Sequence, residues 1–338
     1  MALSSDEIIK HEIIDTLGYK YGDIKLRIFP QSSREDQSLF SDGGLTFGFN
    51  GVSYGSCDAC WYVDEKWMDG FSNKMIDKKP IIALEGTDAL NRNSAGNALY
   101  QRFHHALGAV KNGLVGVYYL KKGPSQIQPD LYGMAYYASQ VEKGNYLVTD
   151  DLKVVKGLLE RYNEKKSFDA FIKSYLEEMH KIFNTKFQLF YKGDWKEFAK
   201  KRSTIIKDDY VIKYAGRSRR NFTDGSQRAG HIAVGEMFLT KYYFYDKKFY
   251  YLFPKMTRED LELLDKSKNT DKEWFLLRNE PNVFIKTIDD IEGVEKKIKG
   301  KLLQIKDEPL KGDAFRTFNA YTREIVSKLE SGEYRIKE

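Results

Sequence analysis

The chain has 338 residues, 41% hydrophobic and 14% aromatic, enough to bury one large core or two modest ones without covalent staples. A formal net charge of +6 is too small to identify a partner, so where charge clusters matters more than its sum. Two cysteines only, Cys57 and Cys60, fit a reducing compartment, and no signal peptide or apolar run of membrane-spanning length is seen, so the sequence predicts a soluble, cytoplasmic protein.

The first predicted element is an amphipathic helix over Ser4–Leu17 with acids at its start. Tyr19–Asp42 follows as a polar, irregular stretch with a short strand at Ile24–Phe29. From Gly43 the pattern alternates, and Asn50-Gly51 signals a tight turn between two strands. Asp58–Glu65 and Lys79–Thr87 are expected to pair antiparallel across the polar loop Lys66–Lys78. Asp58 then falls opposite Glu85 to Thr87, and Asp64 lies at the far end. Pro80–Leu84 is apolar and β-branched-rich, ends in Glu85, and is followed by Gly86, where the chain bends away. Ser94 can cap a helix beginning near Ala95, with Leu99, Phe103, Ala106 and Val110 on its apolar face and Asn97, Gln101 and Arg102 off it. Asn112-Gly113 stops that helix, and Leu114–Leu120 is a second buried strand, so strand, helix and strand form a right-handed parallel crossover.

Beyond Gly123 the chain reads as a loop and a short helix, and Asp151–Lys201 is its most helical region. Lys213–Glu236 is basic and polar. Arg217, Arg219, Arg220 and Arg228 alternate there with glycine, serine, Asn221 and Gln227, residue types that bind phosphates and read base edges. Taken alone the same stretch could be a solvated loop. Met237–Phe253 reads as an aromatic β-hairpin turning at Asp246-Lys247-Lys248, packed into the core. Thr257 and Asp260 have capping-box spacing, Trp274–Leu277 and Val283–Thr287 read as strands, and Gly312–Leu329 as a terminal helix. With no internal repeat or low-complexity linker, the expectation is one elaborated α/β domain over 1–338, a mixed central sheet flanked by helices. Its catalytic core would be 43–122, its helical region 151–201 and its recognition region 202–255.

Two carboxylates on neighbouring strands repel unless a cation lies between them, and Mg²⁺ takes such oxygen ligands. Asp58 and Glu85 are therefore the predicted metal ligands, with the chemistry of metal-assisted phosphodiester hydrolysis. The plainer reading makes Asp58 a strand-edge polar residue and Glu85 a surface acid. Other motifs carry less. Cys57-Asp-Ala-Cys60 has zinc-knuckle spacing but no second ligand pair, and His104-His105 has no metal-ligand partner at a suitable spacing, so packing or a surface role is expected. Gly116-Val117-Tyr118 with Tyr132-Gly133 faintly resembles the GIY-YIG nucleases, without the arginine and glutamate expected downstream, and is better explained as strand packing.

The succession Asp58, hairpin, apolar strand ending Glu85-Gly86-Thr87, helix with Gln101-Arg102, and strand Leu114–Leu120 resembles the PD-(D/E)XK nuclease core over about Gly43–Lys122. Restriction endonucleases are its nearest functional match. The resemblance implies a restriction-endonuclease-like core with helical and β elaborations. Asp58 would be the first acid, Glu85 the second, and Thr87 would stand where the family has lysine. Lys79, Lys121 and Arg102 are the cations left for that role, and Gln101 could bond the metal's water shell. The activity implied is that of a type II, sequence-specific, Mg²⁺-dependent endonuclease acting on double-stranded DNA as a homodimer. The alternative, which the missing lysine raises, is a non-catalytic DNA-binding or regulatory protein on a nuclease-like scaffold.

Overall fold

The computed structural model describes residues 5–28, 46–91, 99–191, 195–225, 228–306, 308 and 311–338. It is mixed α/β, 50% helical and 24% strand, in line with the fold class expected from sequence. Where the sequence suggested one elaborated domain, the chain packs as two compact units, Met1–Gly193 and Asp194–Glu338, each with its own sheet.

The first unit contains helices α1 (Ser5–Leu17), α2 (Phe103–Lys111), α3 (Pro129–Val141), α4 (Lys153–Arg161) and α5 (Lys165–Tyr191). Its strands are β1 (Lys20–Tyr21), β2 (Ile24–Ile28), β3 (Thr46–Phe49), β4 (Val52–Ser56), β5 (Ala59–Val63), β6 (Trp67–Asp69), β7 (Lys74–Ile76), β8 (Lys79–Thr87), β9 (Val115–Leu120) and β10 (Asn145–Thr149). Six of them form one sheet in the order β1-β2-β5-β8-β9-β10. β2, β5 and β8 are an antiparallel meander, whereas β9 and β10 add in parallel. The loop expected at Lys66–Lys78 is itself the small β6–β7 hairpin. Asn50 and Gly51 turn the β3–β4 hairpin with positive φ at both residues, 51° and 76°, the geometry that matches strand twist.

β8 and β9 owe their central position to composition. Eight of the nine residues of β8 and all six of β9 are buried, as continuous apolar runs require of strands covered on both faces. Leu99, Phe103, Ala106 and Val110 are all buried as the helical spacing predicts, and the helix ends at Asn112 with Gly113 at φ 83°. Its expected start at Ser94 and Ala95 lies outside the described residues. Residues 99–101 are helical, the turn breaks at Arg102, and α2 proper begins at Phe103. β10, whose run Asn145–Thr149 escaped the sequence reading, extends the sheet beyond β9 and is covered by α3 and α5.

The second unit has helices α6 (Trp195–Lys201), α7 (Arg228–Tyr243), α8 (Arg258–Lys266), α9 (Lys272–Asn279), α10 (Lys296–Gln304) and α11 (Gly312–Ser331). Its sheet orders β11 (Thr204–Ile206), β12 (Tyr210–Tyr214), β13 (Lys248–Phe253) and β14 (Val283–Thr287), with β15 (Ile291–Glu292) and β16 (Arg335–Ile336) as a separate pair. β12, β13 and β14 are parallel, joined by helical crossovers, and only β11 is antiparallel. One face packs Ile212, Tyr250 and Leu252 against Ile298 and Leu302 of α10 and Phe318, Ile325 and Leu329 of α11. On the other face the Tyr251 hydroxyl donates to Ala233 O of α7 at 3.3 Å, and Phe253 meets Phe222 edge to face.

Two expected elements are corrected here. The aromatic hairpin over Met237–Phe253 does not exist: its first half is the end of α7 and its second is β13, paired in parallel with β12. Residues 237–243 of α7 are all buried, so this helix has no polar stripe and its sequence mimics a strand. Trp274–Leu277 likewise belongs to helix α9, where Trp274, Leu276 and Leu277 face inward. The Thr257 cap is as predicted: its hydroxyl accepts from Asp260 N–H at 3.2 Å while the Asp260 carboxylate accepts from Thr257 N–H at 3.0 Å.

Candidate acidic site at the end of β8

The antiparallel register sets Ala59 opposite Leu84, and Asp58 N–H donates to Leu84 O at 2.9 Å, so Asp58 comes level with Glu85. Asp64 is at the other end of β5, paired with Lys25. Asp58 Oδ2 accepts from Gly86 N–H at 2.8 Å, a bond that ties the two strands together where they leave the sheet. Gly86 is required there because α1 lies against it: a Cβ would come within 2.5 Å of Ile9 Cγ2.

Glu85, 1% exposed, is held between two side chains from α2 and the residue before it. Arg102 Nη1 donates to Glu85 Oε1 at 3.2 Å and also reaches Asp6 Oδ1 of α1 at 3.3 Å. His105 Nδ1 lies 3.1 Å from Glu85 Oε2, although that oxygen receives no hydrogen bond among the described residues. The β3–β4 hairpin holds the imidazole in place. A Cβ on Gly55, whose φ is +103°, would come within 2.4 Å of the His105 ring, so the ring occupies the space that this glycine leaves open. Sequence reasoning assigned His104-His105 to packing or surface. The α2 geometry instead points His105 at the acid, and only the i to i+3 relation with Arg102 hinted that both could reach one point.

Both acids are shifted upward. Burial, and then the neighbouring Glu85 charge, raise the Asp58 carboxyl well above the usual range, against the opposing pull of Gly86 N–H and Arg102. Burial likewise pushes Glu85 up to about 8 from an ordinary 4.5, with Arg102 pulling the other way. Cys57 and Tyr118 are also raised, by burial first and Glu85 second. The net shift of both acids is upward, so the charges around them do not offset what burial costs. The donor set of two carboxylates fits a divalent cation, with Asp58 and Glu85 as the groups to hold it.

The remaining predicted residues divide clearly. Thr87 is buried and its hydroxyl accepts from Ala89 N–H at 3.2 Å, shaping the turn after β8. Gln101 is half-buried next to Arg102. Lys79 pairs with Glu65 at the opposite end of β8, six residues and roughly 20 Å of strand from Glu85. Lys121 pairs with Glu12 of α1 at 2.7 Å. Of the three cations considered, Arg102 is the one in contact with Glu85.

In the second unit the basic stretch runs from the end of β12 into α7. Ser218 and Asn221 form a capping box, in which Asn221 Oδ1 accepts from Ser218 N–H at 2.9 Å, so that amide oxygen is committed to the local turn. Arg219 Nε is 3.5 Å from Asp260 Oδ1, and Arg220 and Arg228 are exposed. Arg217 is half-buried, and its Nε makes no hydrogen bond among the described residues. Gln227 lies outside the described residues. No helix among the described residues is long and apolar enough to cross a membrane.

The fold and site thus define a mixed α/β protein with a buried pair of acids at the end of a central strand. Comparison with protein-family profiles, curated proteins and solved structures finds no match.

Proposed function

We propose that this chain is a Mg²⁺-dependent endonuclease of double-stranded DNA, of the sequence-specific restriction type and acting as a homodimer. One observation supports it above the others: Asp58 and Glu85 come level across β5 and β8, at the end of a strand that continues through a helical crossover into the parallel β9. The sequence resemblance gives these two positions to the family's first and second acids. Asp58 and Glu85 would hold the ion, whose chemistry when bound is to acidify a water and neutralise charge on the phosphodiester. Arg102 supplies the permanent cation that Thr87 does not. Its guanidinium carries both Glu85 and Asp6 and remains 36% exposed, so one edge is open to a phosphate. α1 and the β3–β4 hairpin hold Glu85 and its partners in place.

A second reading draws on the Arg102 and His105 contacts themselves. A carboxylate flanked by the chain's own basic side chains is what a nuclease-like scaffold without metal chemistry would keep, and such a protein would bind DNA without cutting it. Incubation of supercoiled plasmid with the purified protein separates the two. Discrete linear fragments with Mg²⁺, absent with EDTA, are expected. Retarded but intact DNA under every divalent ion would establish the second reading.

Recognition is assigned to Arg217, Arg219, Arg220 and Arg228. An arginine that pairs bidentately with guanine should lose about 1–3 kcal/mol on change to alanine, at cognate sites only. One that meets only phosphate should weaken all duplexes alike and lower the salt slope by about one. Equilibrium binding in Ca²⁺ across several salt concentrations measures both, and four variants with wild-type affinity and slope would remove this stretch from the interface.

A further inference from the structure

Tyr118 lies beside Glu85, and the site described so far does not use its polar group. It is fully buried in the middle of β9, in register with Glu85 on β8, so both side chains leave the same face of the sheet. Its hydroxyl has no hydrogen-bond partner among the described residues, and the charges it feels are those of Glu85, Arg102 and Asp58. The neighbouring tyrosine behaves differently. Tyr146 on β10, equally buried, donates to Phe103 O at 2.5 Å and stacks on the Phe103 ring. A buried hydroxyl is normally paired, by protein or by ordered water. Strand packing alone would be served as well by phenylalanine.

Glu85 Oε2, 3.1 Å from His105 Nδ1, is another buried oxygen here without a hydrogen bond among the described residues. The Tyr118 hydroxyl and Glu85 Oε2 are together complementary, whether Glu85 is ionised or protonated, to a small molecule that both accepts and donates. That is water. We infer that Tyr118 and Glu85 Oε2 together hold one ordered water at the acidic site, and that Tyr118 is a positioning residue for the water used in the proposed hydrolysis. The role in hydrolysis rests on the nuclease reading, whereas the water position does not.

The Tyr118→Phe variant keeps the ring and removes only the oxygen, so it tests the position without a cavity. High-resolution crystal structures of the wild type and of Y118F, without metal, are the first measurement. An ordered water within hydrogen-bond distance of Tyr118 Oη and Glu85 Oε2, absent from Y118F with Glu85 unmoved, is the expected result. A Tyr118 hydroxyl bonded to a protein group instead, or no water in the wild type, overturns the inference. Steady-state cleavage by the same pair is the second. A fall in kcat of about 100-fold with KM unchanged and a displaced pH profile is expected from a misplaced water. Wild-type kcat and pH profile in Y118F overturn the positioning role even if the water is present. Should the wild type cleave no DNA, the nuclease reading falls, and the crystallographic comparison still decides the water.

Discussion

On the proposed nuclease reading, Asp58→Asn and Glu85→Gln are each expected to reduce Mg²⁺-dependent cleavage by about 1000-fold or more, equivalent to ~4 kcal/mol of barrier, while leaving DNA affinity within a few-fold of wild type. The reason is geometric. Both acids sit at the strand end where β5 and β8 are tied by the Asp58 to Gly86 bond, and on that reading they would hold the shared ion. Asparagine retains an acceptor for Gly86 N–H, and glutamine retains an acceptor for Arg102, so the loss should be of chemistry and not of fold. Circular dichroism and binding in Ca²⁺ provide the control. Full cleavage over a time course in either purified variant would show that the site lies elsewhere.

Stability should fall as pH rises from mildly acidic to alkaline, with Glu85 as one cause. Its carboxyl titrates near 4.5 when exposed and is held up to about 8 in the fold, by burial first. Between those values the folded state keeps a proton that the unfolded chain has lost, so the contribution is fully present below about 4.5 and disappears as pH passes through 8. At about 1.36 kcal/mol per unit, the change across the window is on the order of 5 kcal/mol. Asp58 is raised by burial too and acts in the same direction. Urea unfolding at pH 6 and pH 8.5 should therefore show a larger loss in the wild type than in Glu85→Gln, whose amide stands in for the protonated acid and whose remaining loss belongs to Asp58. If the pair holds Mg²⁺ as proposed, the ion should restore more stability at pH 8.5 than at pH 6, because ionised carboxylates are its ligands. Equal pH slopes in wild type and variant would mean that Glu85 is ionised throughout.

What the sequence determined by itself is local or strictly periodic. The alternation around Asn50-Gly51, the Thr257 capping box, the Asn112-Gly113 stop and the buried runs of β8 and β9 follow from residue type and spacing. So does the register that brings Asp58 level with Glu85, since two short strands joined by one connection have few ways to pair. Tertiary structure alone decided the rest. α7 is enclosed, so the helical period of its polar residues vanishes and the letters read as a strand. β10 is five residues long and gains its place only by pairing with β9. The two side chains that flank Glu85 come from 17 and 20 positions further along the chain, and the Asp6 that shares Arg102 comes from 79 positions before it. No residue pattern records that convergence, because it arises from a helix laid across the end of a strand and a glycine that leaves room for an imidazole.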